Sequence, residues 1–290
     1  MEKSNVLIID GDILNFTIGR VTEDISDFDG QICKSFDEES IVRLLDEGLD
    51  NIAEQCGYER SELMYAISCE KNYRKGHFPT YKSNRKDVVK PLGLNWLRTY
   101  LKENAEKYNL VLLENLEADD VMGIFGTSGD TGVSIYSQDK DLKTIPVRQW
   151  DFKKKEFFTP TPLESMRYLY TQVLTGDTVD GYKGCPRIGK VKAAAALKDC
   201  KNELEMLEQC YVRFHKVYKE HDKAKEELLA QIGQARILHQ IDYLALVQFN
   251  ETYNPFKIMN VCDDMLVDWA FMYNESLIKA KKPKKVKDGI

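Results

Sequence analysis

Eight carboxylates fall in four short stretches of this sequence: Asp10 in "NVLIIDGD", Glu117, Asp119 and Asp120 in "NLEADD", Asp139 and Asp141 in "SQDKD", and Asp177 and Asp180 in "GDTVD". Acids brought together repel and raise one another's pKa unless a positive charge lies between them. A hard divalent cation with oxygen ligands, magnesium or manganese, is the simplest such charge. The four histidines, at 77, 215, 221 and 239, stand at none of the strand ends, which argues against imidazole-rich zinc chemistry. No Ser-His or Cys-His pairing offers a nucleophile. Singly, each acid reads as a helix cap or a solvated turn residue. Together they read as an acidic metal site.

The elements that must position these acids are short apolar runs separated by helix-length segments. "NVLIIDGD", "ELMYAISCE", "YNLVLLENLEADD" and "GVSIYSQDKD" each stop at or near acid, and such runs predict βαβ units with a mostly parallel sheet. In open α/β sheets the ligand site lies beyond the carboxyl ends of the strands. Asp119 and Asp120 also open a helical stretch over 119–126, where the helix dipole favours anions. The expected class is therefore α/β.

Two further stretches carry charge of the opposite sign. The whole chain has a net charge of −6, yet residues 71–90 hold seven Lys/Arg (71, 74, 75, 82, 85, 86, 90) against Asp87 alone. Tyr73, Phe78, Tyr81 and Trp96 are interleaved with them. Cations track a phosphate backbone while aromatic rings offer a stacking surface, so this segment reads as a guide for nucleic acid. The plainer alternative is a solvated helix face with a few core aromatics. The second stretch, "GYKGCPRIGKVKAAAAL" after Asp180, reads as a glycine-rich hairpin running into a helix that begins near Gly189. Backbone amides at such a helix start, with Lys190 and Lys192 beside them, suit a phosphate.

The ordered set "IIDGD", "NYRKGHFPTYKSNRK", "LEADDVMG", "SQDKDLKTIP", "GDTVDGYKG" and "QARIL" resembles the FEN-like (flap endonuclease) 5′-nucleases, in particular the stand-alone 5′-to-3′ exonucleases of podovirus-type phages. The resemblance implies a PIN-like central sheet flanked by helices, with a helical arch at about 70–100 and a helix-hairpin-helix element at about 176–197. It implies that Asp10, Glu117, Asp119, Asp120, Asp139, Asp141, Asp177 and Asp180 serve two magnesium or manganese ions. Lys82, Arg85, Arg74 and Tyr81 match arch residues near the scissile phosphate, and Lys75, Lys86, Gly184, Arg187, Gly189, Lys190 and Lys192 fall on the DNA-binding elements. A potassium ion at the hairpin is a further implication. Two departures stand out. Cys69 occupies the place of a family Asp, so that either Glu70 beside it substitutes as a ligand or one water-mediated ligand is missing, and the hairpin reads "CPRIG" where relatives carry a Gly before the Ile.

Residues 1–160 are expected to form the catalytic α/β region, and 161–290 a helical region ending in the Lys-rich tail "KAKKPKKVKDGI". Seven cysteines without a C-x-x-C pair, and an N-terminus that runs straight into a strand pattern, predict a cytoplasmic protein without disulfides or a membrane span. The expected partner is duplex DNA with 5′ ends or flaps, or an RNA:DNA hybrid, with no obligate protein partner. Three rivals fit part of the pattern: a PIN-type ribonuclease, a haloacid-dehalogenase-type phosphatase using Asp10 as nucleophile, and a DNA-junction binder that has lost activity.

Overall fold

The computed structural model describes residues 5–28, 31–85, 88–129 and 132–248; Lys86, Cys262 and the Lys-rich tail lie outside them. In chain order, β1 (Val6–Asp10) leads to α1 (Gly11–Val21), the hairpin β2 (Glu23–Phe28) and β3 (Gln31–Phe36), α2 (Glu38–Cys56), β4 (Leu63–Ala66), α3 (Tyr73–His77) and α4 (Leu94–Glu103). Next come β5 (Leu110–Val111), α5 (Ala118–Gly126), β6 (Val133–Tyr136), β7 (Arg148–Asp151) and β8 (Glu156–Phe158). The helices α6 (Pro162–Thr175), α7 (Lys190–Leu197), α8 (Glu203–Tyr218), α9 (His221–Ala235) and α10 (Gln240–Gln248) follow. Met1–Leu244 forms one compact unit and Ala245–Ile290 another. The change from sheet to helices near residue 160 thus falls inside the first unit.

The main sheet has the order β5-β4-β1-β6-β7-β8. Every pairing in it is parallel except β7 with β8. The chain leaves β1 toward β4 and β5, then returns to β1's other side with β6, so the order reverses at β1. A crevice at the carboxyl ends of β1 and β6 is the consequence. β1 is buried on both faces, as its unbroken apolar run requires. Leu7 and Ile9 face a core built from α1, α2 and α4, whereas Ile8 faces a second core containing Val121, Met122 and Ile135.

The strand-to-helix turn at the end of β1 depends on Gly11. A Cβ there would come within 2.4 Å of the Tyr65 ring and 2.6 Å of the Ala66 carbonyl oxygen. Asp10 therefore ends β1 and caps α1 at once, accepting from the Ile13 amide at 3.2 Å. On α5, Glu117 and Asp120 form a reciprocal capping box, which fixes the start of that helix beneath the arch. The helical half packs α6 against α8 and α9 around Val173, Leu174, Phe214 and Leu228, all fully buried.

Candidate metal centre and nucleic-acid groove

Six of the eight acids line that crevice or a recess beside it. Asp10, Glu117, Asp119 and Asp139 line one groove of about 1010 Å³, together with Lys75, Lys82, Arg85 and Lys90 of the arch and Arg98 and Lys102 of α4. A small adjoining recess is lined by Glu117, Asp119, Asp141 and Asp180. Asp139 is central: its charge acts on Asp10, Asp119 and Asp141 alike.

Electrostatics divide the acids into two groups. Burial drives the Asp10 carboxyl up to about 6, with Asp12 and Asp139 adding repulsion against a Ser137 hydrogen bond. Burial, then Asp139, also raises Asp141 to about 6. Burial and the neighbouring Asp139 and Asp10 hold Asp119 well above the usual carboxylate range, and burial raises Asp180 against Lys82 and Arg85. The second group is neutralised within the protein. Burial would raise Glu117, but Lys82 at 2.6 Å and Arg74 at 3.2 Å bring it down to about 2. Burial of Asp177 is likewise outweighed by Lys140 at 2.5 Å, and its pKa falls.

Among the described residues no three acidic, cysteine or histidine side chains stand gathered at coordination distance. What the structure presents is an all-oxygen donor set, two of whose members are held near pH 6 by burial and mutual repulsion. Such a set fits a hard divalent cation, whose charge would offset the burial and repulsion that raise those pKa values.

Several residues singled out in the sequence take other places. Arg74, expected near the scissile phosphate, is 2% exposed. It donates to Asp120 at 2.6 and 2.7 Å, to Glu117, and to the Arg236 carbonyl, so it clamps α3 to α5 and to the end of α9. Asp120, expected as a metal ligand, is fully buried and spends its oxygens on Arg74 and on the amides of Glu117 and Leu238. Asp177 accepts from the Val179 and Asp180 amides on one oxygen and from Lys140 on the other. Glu70 lies in the groove wall but pairs with Lys102 at 3.3 Å, its side chain 79% exposed.

The arch aromatics also differ from a stacking platform. Tyr73, Phe78 and Tyr81 are buried, and Trp96 stacks on Tyr100 with centroids 5.3 Å apart. Tyr81 donates to Glu117 at 2.8 Å. The exposed ring beside the groove is Phe16 on α1, which the sequence reading missed. Lys82 lines the groove from a left-handed backbone, φ +52°. Backbone held there costs about 1–3 kcal/mol and gathers at functional sites. Arg85 pairs with Asp180 at 2.5 Å, and Lys75 is exposed along the groove.

In the hairpin, Gly184 serves packing. Its amide is buried and donates to Gln231 at 2.7 Å, and a Cβ there would lie 2.3 Å from the Gly176 nitrogen. It is no phosphate donor. Arg187 adopts φ +66° and its carbonyl accepts from Lys192, while the Cys185 carbonyl accepts from the Ile188 amide. Each of those two carbonyls thus already accepts one hydrogen bond. Gly189 caps α7 in extended backbone, and Lys190 and Lys192 are exposed in its first turn.

Two uncharged residues that orient the acids left no sequence signal. Ser137 donates to Asp10 at 2.6 Å and accepts from the Asp139 amide, holding two strand ends together. Gln172 of α6 donates to Asp141 at 2.6 Å. Asp12 pairs with Arg98 at 3.0 Å.

Residues 39–165 match the family model of the 5′-3′ exonuclease N-terminal, resolvase-like domain. Over that stretch the chain is similar to the 5′-3′ exonuclease family. It is 29% identical to an exodeoxyribonuclease of Enterobacteria phage T3 over 198 residues, which are 65% of each protein. Over 193 residues, 63% of each, it is 29% identical to an exonuclease of Escherichia phage T7. DNA polymerase I of Rhizobium leguminosarum is 30% identical over 58% of this chain and 17% of that enzyme. The chain thus spans less than two thirds of the length of these relatives. Its fold is that of T5 5′-exonuclease solved with bound zinc ions, with a TM-score of 0.59 and 15% identity over 91% of this chain and 98% of that one. A bacteriophage T5 flap endonuclease in a pseudo-enzyme-product complex with DNA and metal ions gives a TM-score of 0.57 at 16% identity, covering 90% and 99%.

Proposed function

We propose that this protein is a 5′-to-3′ exonuclease with flap-endonuclease character, hydrolysing phosphodiester bonds near the 5′ ends of duplex DNA, and of RNA:DNA hybrids. The observation that carries the reading is a set of strand-end carboxylates under a groove walled by arch and α4 cations, in a chain related to phage exonucleases. Asp10, Asp119, Asp139 and Asp141, with Asp180 beside them, are the proposed holders of two magnesium or manganese ions. Ions so held supply Lewis acidity and a nucleophilic water at neutral pH.

The remaining work belongs to side chains. Lys82, charged because Glu117 and Asp180 outweigh its burial, is placed to stabilise negative charge developing on the phosphate. Arg85, Lys75, Lys90 and Arg98 draw the backbone along the groove. The exposed start of α7, with Lys190 and Lys192, grips duplex phosphate away from the chemistry. The deciding assay is a panel of 5′-labelled duplex, flap and hybrid substrates, with magnesium and then with chelator. Chelator-sensitive release from the 5′ end supports the reading; cutting that chelator leaves unchanged contradicts it.

Lys82→Met is expected to lower single-turnover rate by about 10²-fold or more, on the scale of one lost charge-stabilising donor, while duplex affinity falls only severalfold. Equal losses in rate and affinity would make Lys82 a backbone clamp.

Acidity gives a second expectation. A carboxyl whose folded pKa is raised binds its proton more tightly when folded, so its penalty is complete above the folded value and relieved as pH falls toward the unfolded one. For Asp10 and Asp141 that window runs from about 6 down to 3.8, each on the order of 3 kcal/mol. Glu117 and Asp177 work the other way only below about 4.5. Metal-free protein should therefore melt several degrees higher at pH 5 than at pH 7.5. Magnesium should raise the melting temperature more at pH 7.5 than at pH 5. A flat profile, checked by calorimetry, would mean the acids do not repel.

A further inference from the structure

Asp10 and Ile13 line two cavities. One is the groove described above; the other, about 270 Å³, lies between α1, α2 and the segments that follow β6 and β7. Buried Ile9 and Ile52 form its floor, with Phe152 as one wall. Phe152 is held edge-on to Tyr136, the centroids 4.7 Å apart at 62°. The amides of Asn51, Gln55 and Gln138 stand exposed around the rim.

Apart from Asp10 at the shared edge, the lining carries no charged side chain, so phosphate is not what this pocket takes. A carboxamide offers a donor and an acceptor side by side, which matches the edge of a nucleobase. The volume is below the usual ligand-pocket range of about 300–1,000 Å³, which suits one base and not a base pair. We propose that the pocket receives a single unstacked nucleobase of the strand whose phosphodiester lies at Asp10, its ring against Phe152 and its edge on the rim amides. The proposal rests on the nuclease reading and adds a base-contact subsite to it.

Gly48 supports the assignment independently. It lies inside the helix Glu38–Cys56 and lines the pocket, although glycine is a poor residue for a helix interior. Packing does not demand it: an added Cβ would meet only the Leu14 Cδ1 atom, at 3.9 Å, an ordinary contact. Its effect is to leave the pocket deep. Gly48→Leu should fill that space and, leucine being the better helix former, leave the fold at least as stable.

The test is single-turnover cleavage, with magnesium, of duplexes that carry either a normal base or an abasic site at each nucleotide flanking the cut. At one position, loss of the base should slow the parent about ten- to hundredfold, the scale of one stacked base. Gly48→Leu should slow the fully based duplex to the same extent and leave the abasic duplex unchanged. Gln55→Ala, a rim substitution remote from the core, should give a smaller loss confined to the same position. Parental rates from Gly48→Leu on every duplex, or losses that multiply with base removal, would overturn the pocket while leaving the nuclease reading in place. If the parent cuts no duplex at all, the nuclease reading falls, and the pocket proposal with it.

Discussion

Asp119→Asn combined with Asp139→Asn should abolish hydrolysis, lowering single-turnover rate by at least about 10³-fold, while the protein stays folded and still binds duplex DNA. The size follows from chemistry that draws several kcal/mol from bound cations. The selectivity follows from the electrostatics of the site. Burial and the charges of Asp139 and Asp10 raise Asp119, so removing two of these charges relieves repulsion, and the metal-free melting temperature should hold or rise. Magnesium should then lose its stabilising effect. A double variant that still cuts at the parental rate would remove these acids from the mechanism.

Arg74→Met should produce the largest loss of stability of any single change in the arch, about 3–5 kcal/mol, because it leaves buried Asp120 without its counter-charge and Glu117 with Lys82 alone. Arg74 and Asp120 are both essentially fully buried and bonded through two parallel contacts. Adding Asp120→Leu to Arg74→Met should recover much of that loss, since an apolar pair of similar bulk avoids the uncompensated charge. Urea unfolding of the parent, both single variants and the double variant measures the coupling directly. Near-additive losses would show that Arg74 acts as one packing contact among many.

How far the sequence reached is clearest at Asp119 and Asp120. Both were legible as acids opening a helix, yet successive helical residues point about 100° apart. One turns toward the groove, while the other turns inward to Arg74. The spacing of Glu117 and Asp120 did carry a capping box, which is a reason for both acids to exist apart from any metal. The arch aromatics failed for a related cause: Tyr73, Phe78 and Tyr81 follow no single helical or strand period, so the pattern could not say that all three are buried. The four acid-ended strands were found because each combines an apolar run with a charge. The hairpin β2–β3 and the strands β7 and β8 lack that combination, although Asp29-Gly30 is the dipeptide a two-residue hairpin turn favours. Ser137 and Gln172 were invisible, since an uncharged residue gains its role only from what folding sets beside it.

The most direct test of the central claim is where a divalent cation sits. Crystals grown with manganese, measured near its absorption edge, should show anomalous density within coordination distance of Asp10, Asp119 and Asp139, with Asp141 and Asp180 beside it. Density confined to exposed acids such as Glu70, with none in the strand-end cluster, would contradict the account.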